Sequence, residues 1–354
     1  MKGEEFGDFL KGQAEIWQLL FAFTGSMALK CAVQLRIADI INSHLGPLTL
    51  SQIASHIADS PSPDSISYLT RIMRPLVHKK VFTAHRSSDG GETLYGLTHT
   101  SRWLLWDSKP NFVPLILLEN NPLMLAPWQY LSHGVKDGGR PFDKAHGCDL
   151  WRFASENPEF NEMFNDGMGC MVDIFTEEVL AGYKDGFGCI GSLVNVGGGI
   201  GGDMYKIVKS HPHIKGVNFD LPHVIATAPT YPGVSHVGGD MFVTIPNADA
   251  IFLKSVLHDW SHDLCVEILK NCRKAIPENT GKVIIVDIVF DADDEDDIFK
   301  EARIILDMVM MAHTNGGKER TEFEWKKLLE EAGFPRYKIT RISAIPSIIE
   351  AYPI

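Results

Sequence analysis

His258 is a candidate for proton transfer in this chain of 354 residues. It stands in the segment His258-Asp259-Trp260, shortly after the apolar run Ala250–Lys254. An imidazole titrates near neutral pH, so a histidine beside a ligand pocket can take a proton from a hydroxyl group. An isolated histidine is more often a satisfied core residue, but a position after a predicted strand favours the catalytic role.

A glycine-rich segment has the composition of a loop that holds a nucleoside-like group. The predicted strand Leu193–Val196 runs into Gly197-Gly-Gly-Ile-Gly-Gly202, and a helix is predicted from Met204 to Ser210. Glycines permit a tight turn and close approach of the backbone to a ligand, and Asp220 ends the next strand, where a carboxylate can accept ribose hydroxyls. This motif alone leaves a dinucleotide and a nucleoside-like cofactor almost indistinguishable. A plain glycine linker is disfavoured because a strand precedes the segment and a helix follows it.

Further polar residues follow the next two predicted strands. Asp240 and Met241 come after the third strand and can flank a flat base, while Lys254 ends the fourth. In an open α/β sheet these positions gather at the carboxyl ends of the strands, where ligands bind. A dehydrogenase would need a hydride-transfer site, which nothing else in the chain indicates. Proton abstraction by His258 is the better interpretation.

The elements that would position these residues alternate in type along the second half of the chain. Short apolar runs and helical segments alternate after Gly186, which predicts βαβ units around a mainly parallel sheet. The predicted strands are Ser192–Val196, Lys215–Phe219, Ser235–Val237, Ala250–Lys254, Lys282–Val289 and Lys338–Ile342.

The first part of the chain is helical and ends in a hairpin. Two helices are predicted between about Glu15 and Asn42, then helices over Leu48–Ile57 and Ser65–Lys80, and strands near 81–84 and 94–97. The apolar residues of the first two helices either pack within their own domain or form an interface with a second copy, and the pattern leaves both open. Helix, helix and hairpin is the winged-helix pattern, best known from DNA binding.

Charge and composition exclude several classes of protein. The chain carries 33 Lys and Arg against 45 Asp and Glu, a formal net charge of −12, which disfavours binding to nucleic acid. It has neither a run of about 18 apolar residues typical of a membrane span nor a signal-peptide core. Its six cysteines lack metal-site spacing, and the acidic stretch Asp291–Asp297 is expected to be a solvated loop. We therefore expect a soluble cytoplasmic protein without a metal site.

Taken together, several segments resemble plant O-methyltransferases that act on small molecules and use S-adenosylmethionine. The resemblance covers essentially the whole chain and is specific in combination, although each motif is weak alone. Its motifs are the glycine loop, Asp220-Leu-Pro222, Gly239-Asp240-Met241-Phe242, His258-Asp259-Trp260 and Gly316-Gly-Lys-Glu-Arg-Thr321. Segments 29–33, 219–225 and 348–353 look most like the alkaloid branch, whose members methylate phenols of benzylisoquinolines and protoberberines.

The resemblance implies an α/β fold, with a Rossmann-like methyltransferase domain over residues 116–354. Residues 1–115 would form a helical, winged-helix-like dimerisation domain, so the expected partners are a second copy and a phenolic alkaloid. S-adenosyl-L-methionine would be the methyl donor and S-adenosyl-L-homocysteine the product. No metal is needed for this chemistry.

The resemblance also assigns roles to individual residues. His258 would be the general base, held by Asp287 and Glu319, while Asp259 is more often structural. The residues that would contact the cofactor are Gly197, Asp220, Asp240, Met241 and Lys254. The substrate pocket would be lined by Phe160, Phe164, Met168, Met310, Met311 and Thr314, with Trp128, Met124 and Glu119 nearby. Plain helix core is the alternative for the aromatic and methionine residues, although such a wall suits a flat or cationic alkaloid.

Two positions depart from the family pattern. Asn195 replaces an aspartate and Ile200 replaces a threonine, and both changes are expected to weaken cofactor binding without abolishing it. They motivate an alternative from another class, a non-catalytic dimeric binding protein with a degenerate cofactor loop. A flavonoid or phenylpropanoid substrate is the alternative within the same chemistry.

Overall fold

The chain folds into two compact units, residues 1–121 and 122–354, so the division falls a few residues after the predicted boundary at 115. The structure, a computed structural model, describes residues 3–44, 46–58, 64–86, 91–184, 186–291 and 297–354. Most of the predicted hairpin turn, 88–91, and most of the acidic stretch, 291–297, lie outside these residues. Each unit is described by itself.

The N-terminal unit is helical with one antiparallel hairpin, in the order expected. Its elements are α1 (Gly3–Leu20), α2 (Phe23–Gln34), α3 (Ile37–Ser43), α4 (Leu50–Ser55), α5 (Ser65–His78), β1 (Phe82–Arg86), β2 (Thr93–Leu97) and α6 (Val113–Glu119).

Local sequence explains how the two central helices of this unit form. Thr49 caps α4 through a capping box with Gln52, so each side chain bonds the other's backbone N–H. The helix α5 runs through Pro75 and ends at His78, two residues before the predicted end. Leu69 and Met73 of α5 pack into a core that also holds Ile53.

An apolar surface on α1 and α2 is left uncovered within the chain. Trp17, Leu19 and Phe23 each expose more than half of their surface. The stretch Gly7–Gln34 is also long and apolar enough to cross a membrane by length and composition, which is weak evidence for a helix near an N-terminus. Residues 21 and 22 interrupt the regular helix between α1 and α2. The exposed side chains therefore point to an interaction surface.

The C-terminal unit has the alternating order predicted for βαβ units. Its elements are α7 (Pro122–Leu125), α8 (Leu131–Asp137), α9 (Pro141–His146), α10 (Leu150–Glu156), α11 (Pro158–Gly182), β3 (Ser192–Val196), α12 (Gly202–Ser210), β4 (Lys215–Asp220), α13 (Pro222–Ile225), β5 (Val234–Gly238), β6 (Ala250–Lys254), α14 (His262–Ala275), β7 (Lys282–Asp287), β8 (Val289–Phe290), α15 (Lys300–His313), β9 (Arg320–Thr321), α16 (Glu322–Glu331), β10 (Arg336–Arg341) and β11 (Ser347–Tyr352).

The main sheet of this unit has the strand order β10-β11-β7-β6-β3-β4-β5 in the described chain. The strands β7, β6, β3, β4 and β5 are parallel, and β11 pairs antiparallel to both β7 and β10. The predicted mainly parallel sheet is confirmed. The sequence analysis missed β11, a fully interior strand that places Ile348 and Ile349 in the core.

Helices cover both faces of the sheet, so its central strands are apolar on both sides. On β6, Ile251 and Leu253 pack toward α14 and α16, while Phe252 packs on the opposite face with α11 and α12. Strands buried on both faces read as continuous hydrophobic runs. This burial fixes the register of the strands and therefore the positions of the loops at their carboxyl ends.

Candidate active site

The parallel strands bring the predicted site residues of the second unit to one edge of the sheet. The glycine loop follows β3, Asp220 ends β4, Lys254 ends β6 and Asp287 ends β7. Because these strands run in the same direction, their carboxyl ends lie side by side. His258 joins them from the 3₁₀ turn Leu257–Asp259 that follows β6.

Two buried carboxylates face the same nitrogen of His258. The Nδ1 atom lies 2.9 Å from Glu319 Oε1 and 3.5 Å from Asp287 Oδ1. A carboxylate that accepts from Nδ1–H fixes the tautomer and leaves the Nε2 lone pair available. The predicted grouping of these three residues is therefore present in the structure, in a geometry that suits a base acting through Nε2.

A third carboxylate, Asp259, lies on the other side of the ring. Its Oδ1 is 3.8 Å from His258 Nε2, and both side chains are largely buried. Burial raises the pKa of Asp259 to about 7, against the lowering effect of His258. The sequence analysis regarded Asp259 as structural, yet its carboxyl group faces the nitrogen through which a base would act.

The carboxylates control the protonation of the imidazole. Burial alone would lower the pKa of His258, but the charges of Asp287, Glu319 and Asp259 outweigh it and raise the pKa to about 10. Burial likewise raises the pKa of Asp287 to about 6. The carboxylates therefore hold the imidazole in its protonated form at neutral pH.

His258, Asp287 and Glu319 have the chemistry of metal ligands and lie within 4.8 Å of one another. Two ligands of one tetrahedral zinc ion are about 3.4 Å apart. The separation of 2.9 Å between Nδ1 and Glu319 is instead that of a charge-assisted hydrogen bond. The contact itself thus favours an imidazole held by a carboxylate.

Neighbouring backbone contacts hold Glu319 beside the histidine. The backbone N–H of Lys318 donates to His258 O at 2.9 Å, and that of Glu319 donates to Asp307 Oδ1 at 2.8 Å. The buried guanidinium of Arg320 donates to the carbonyls of Leu257 (2.8 Å) and Trp260 (2.7 Å). These bonds join the two loops that carry His258 and Glu319.

Strand β4 anchors the glycine loop through two of its side chains. The N–H of Gly199 donates to Asp220 Oδ2 at 2.7 Å, and its carbonyl accepts from Asn218 Nδ2 at 2.8 Å. Asn218 also donates to His236 Nδ1 at 3.3 Å, since His236 Nε2 donates to Pro229 O. Asn218 was missed, although its place two residues before Asp220 puts both side chains on one face of the strand.

Glycine is required at several positions of this loop, by backbone conformation or by lack of space for a side chain. Gly197 and Gly199 have φ of 66° and 56°, in the left-handed region that favours glycine. A Cβ atom on Gly198 would lie 2.1 Å from Asn218 Oδ1 and 2.6 Å from Asn195 Nδ2. Asn195 is therefore buried directly beneath the loop, whereas Ile200 is half-buried within it. Burial raises the pKa of the Asp220 carboxyl against two backbone N–H donors that lower it.

The remaining predicted cofactor residues are also fixed by polar contacts. Lys254 Nζ lies 3.3 Å from Asp203 Oδ2, and both groups are buried. Asp203, which the sequence analysis missed, also accepts a hydrogen bond from Thr176. Asp240 is exposed and accepts from Phe242 N–H at 2.9 Å, and Met241 is half-buried beside it.

Aromatic side chains connect α11 to the histidine loop. The rings of Phe160 and Phe164 stack with their centroids 6.2 Å apart. The ring of Trp151 contacts Phe164 edge-on, with a centroid distance of 5.9 Å. Trp151 in turn stacks on Trp260 at 6.0 Å, two residues after His258. Phe160 is fully buried and so contributes to the core as well. Trp151 was not predicted as a site residue, because it lies on α10 and the predicted aromatic wall was taken from the pattern of α11 alone.

A second group of predicted substrate residues surrounds His313 at the end of α15. The His313 Nε2–H donates to Met124 O at 2.9 Å. The ring of Trp128 contacts the His313 ring edge-on, with centroids 5.5 Å apart. Burial lowers the pKa of His313 to about 4. The Thr314 hydroxyl donates to Met310 O at 2.7 Å within its own helix, and both residues are buried.

Three further predicted residues are more open or lie elsewhere. Met168 and Met311 expose 37% and 43% of their surfaces, so they are accessible to a ligand. Glu119 belongs to the N-terminal unit, at the end of α6, and burial raises its pKa to about 7. Their roles toward a substrate stay predictions.

The sheet and the glycine loop define a Rossmann-like α/β domain, in which an imidazole held by carboxylates follows the strand β6. Comparison with known proteins specifies the class further. An O-methyltransferase domain matches residues 128–335, and an O-methyltransferase dimerisation domain matches residues 17–107. The chain belongs to the plant family of S-adenosylmethionine-dependent O-methyltransferases.

Relatives from two plants resemble the chain over nearly its whole length. It is 56% identical over 348 residues to (R,S)-reticuline 7-O-methyltransferase of Papaver somniferum, covering 97% of this chain and 98% of that protein. It is 52% identical over 349 residues to desmethylxanthohumol 6'-O-methyltransferase of Humulus lupulus, covering 97% and 99%. The family match and these relatives support an O-methyltransferase over the dehydrogenase and the non-catalytic binding protein.

Solved structures share the fold at lower identity. Human N-acetylserotonin methyltransferase in complex with SAM matches with a TM-score of 0.83 and 21% identity, covering 96% of this chain and 97% of that one. The predicted fold class, a Rossmann-like domain with an N-terminal dimerisation domain, is confirmed. The matched dimerisation domain also explains the exposed apolar surface of α1 and α2 and supports a homodimer.

The Asn218 contacts generate a first prediction. Asn218→Ala removes the donor to Gly199 O and leaves that carbonyl without its partner, at a cost of about 1–3 kcal/mol. We expect the dissociation constant for S-adenosylmethionine, measured by calorimetric titration, to rise about 5- to 100-fold. Asn247→Ala, at an exposed position before β6, is the matched control and should bind like the wild type. Equal affinities of the two variants would contradict the anchoring role.

Proposed function

We propose that the chain methylates a phenolic hydroxyl group of a benzylisoquinoline or protoberberine alkaloid, with His258 as the general base. The contact between His258 Nδ1 and Glu319 carries this proposal, because it leaves Nε2 available at the edge of the sheet where ligands bind. Reaction type and methyl donor follow from the family, while the base and the substrate class are the proposal.

The residues at this edge fit the methyl donor. Gly197, Gly198 and Gly199 form a tight backbone loop, in which a Cβ atom on Gly198 would collide with Asn218 and Asn195 beneath it, whereas a Cβ atom on Gly199 would meet open space. The half-buried carboxylate of Asp220 lies beside this loop. In this proposal Asp220 binds the ribose of the methyl donor, and Asp240 and Met241 contact its adenine. Lys254 binds polar groups nearby. When bound, S-adenosylmethionine supplies an electrophilic methyl group on a sulfonium.

The protein supplies alignment and proton transfer. A phenol has a pKa of about 10, so little of it is ionised at neutral pH. His258 Nε2 takes the phenolic proton as the oxygen attacks, while Glu319 and Asp287 stabilise the imidazolium that results. The aromatic residues Phe164, Trp151 and Trp260 orient the ring of the substrate.

The charge of the site supports an alkaloid over a neutral phenol. Asp259, Asp287 and Glu319 surround a single imidazole, and His258 is the titratable cation in contact with them among the described residues. Such a cluster attracts a protonated amine. The alternative is a flavonoid-type substrate, which the Humulus lupulus relative favours.

A substrate panel distinguishes these two classes. Phenolic alkaloids and flavonoids are incubated separately with the full chain and S-adenosylmethionine, and the products are identified by mass spectrometry. We expect methylated benzylisoquinolines or protoberberines and at most slow methylation of flavonoids. Methylation confined to flavonoids or phenylpropanoids would contradict the substrate class and leave the catalytic base untouched.

His258→Ala tests the base directly. We expect turnover to fall by about 10²- to 10⁴-fold, because the positioned proton acceptor is lost. Binding of S-adenosylmethionine should stay nearly intact. His262→Ala is the control, since His262 lies four residues further along and contacts Glu331 on the surface. Turnover of His258→Ala at the wild-type rate would refute the assignment.

The protonation of His258 generates a prediction for pH. The base acts only when deprotonated, and its raised pKa of about 10 means that kcat/KM of the wild type rises with pH through the alkaline range. Glu319→Gln removes one of the charges that raise this pKa, so the rising limb should move to lower pH.

The variant is needed because a phenol titrates in the same range, at about pH 10. If the rise of kcat/KM with pH came from ionisation of the phenol, it would occur at the same pH in Glu319→Gln as in the wild type. The matched control is Glu322→Gln, an exposed residue of the first turn of α16. Profiles measured between pH 6 and 10 that coincide for both variants and the wild type would show that His258 is not the titrating base.

The assembly and location of the enzyme follow the same proposal. We infer a homodimer that buries the exposed side chains of α1 and α2, among them Trp17 and Phe23. This explains the apolar stretch Gly7–Gln34 without a membrane. We place the protein in the cytoplasm.

A further inference from the structure

Two histidines of the N-terminal unit face each other outside the region of the catalytic chemistry. His44 follows the last residue of α3 and His56 follows the last residue of α4. Their Nε2 atoms are 3.2 Å apart, and their rings are nearly perpendicular, with centroids 4.4 Å apart. Both side chains are exposed, so ions from solution can reach them.

The hydrogen bonds of His44 determine which of its nitrogens carries the proton. Its Nδ1 lies 2.8 Å from the carbonyl oxygen of Ile40. A carbonyl oxygen only accepts, so Nδ1 bears the hydrogen and donates it. The hydroxyl of Ser43 donates to the same carbonyl at 2.9 Å, and its oxygen faces Nδ1 at 3.1 Å. In the neutral ring, Nε2 therefore presents a lone pair.

His56 repeats this arrangement at the end of the next helix. Its Nδ1 donates to the carbonyl oxygen of Gln52 at 2.8 Å. The hydroxyl of Ser55 donates to the same carbonyl at 2.8 Å, and its oxygen lies 3.2 Å from Nδ1. When both rings are neutral, two unprotonated Nε2 atoms thus lie 3.2 Å apart, an arrangement that no direct hydrogen bond satisfies.

We propose that His44 and His56 form a binding site for a divalent transition-metal ion of borderline softness, such as Zn²⁺. Two nitrogen ligands about 2.0–2.1 Å from a tetrahedral zinc ion are about 3.4 Å apart, close to the separation of the two Nε2 atoms. Metal-bound histidines characteristically donate their other N–H to a backbone carbonyl, as both rings do here. Imidazole is a preferred ligand of zinc, copper and nickel.

The site supplies two ligands and leaves the remaining positions to water. No third His, Cys, Asp or Glu ligand completes it among the described residues, since the three-residue cluster found there is that of His258. A bound ion would connect the ends of α3 and α4, which the chain joins only through residues 44–49. Because the folded chain holds the rings together, the ion would stabilise the fold in proportion to its affinity.

Zinc titration of the full-length chain tests the site. Protein freed of metal by EDTA and dialysis is titrated with ZnCl₂ by calorimetry, for the wild type and for His44→Gln and His56→Gln. We expect each variant to lose one binding event, or to bind at that site at least about tenfold more weakly. His78→Gln, at an exposed histidine of the same unit, should keep the wild-type stoichiometry.

A second measurement needs no variant. Long-range ¹H–¹⁵N spectra of the wild-type histidines should show the Nε2 signals of His44 and His56 shifting when zinc is added. The proposal is overturned if both variants bind zinc with wild-type stoichiometry and affinity, or if these signals do not move. Either result would mean that the two rings do not bind the ion. Because any zinc bound at His258 is unaffected by the variants, only the difference between proteins counts.

Discussion

The hydrogen bond between His258 Nδ1 and Glu319 Oε1 is the contact on which the catalytic arrangement depends. The two residues are 61 positions apart and belong to different loops. Several bonds join these loops: Lys318 N–H to His258 O, Asn315 N–H to Asp259 O, and the Arg320 guanidinium to Leu257 and Trp260. Together these bonds keep the imidazole and its carboxylate side by side.

The short strand β9 explains why Glu319 arrives beside Asp287. Arg320 pairs with Val289 of β8, two residues after Asp287. Both carboxylates are thereby brought to the end of β7, and both are almost completely buried. Two such carboxylates so close together repel each other, and a shared imidazolium offsets this repulsion. The imidazolium of His258 thus stabilises the two buried carboxylates in the folded chain.

The sequence predicted the elements with strong patterns and missed those that depend on distant pairing. The strands β3 and β6 have the predicted bounds, because continuous apolar runs bounded by turns mark buried strands. β11 lacked such a cue, since it joins the sheet antiparallel, between β10 and β7, and Glu350 interrupts its apolar residues. Its position is fixed by its partners and not by its own pattern.

The site was predicted in the same uneven way. His258, Asp220 and Lys254 follow strands, a local feature that any parallel sheet brings to one edge. The contacts of Asn218 with Gly199 and of Lys254 with Asp203 depend on side-chain packing between elements, which spacing alone does not specify. Trp151 was missed for the same reason, because only the folded chain shows its stacking on Trp260.

The negative cluster that positions His258 also opposes the role of base that we propose for it. Each nearby carboxylate stabilises the imidazolium and so keeps the proton on the ring that must accept another. A positive charge bound beside the cluster has the reverse effect, since it lowers the pKa of the imidazole and releases the proton. An enzyme whose ligands are cationic can therefore hold its base rigidly with several carboxylates and still have it deprotonated in the occupied site.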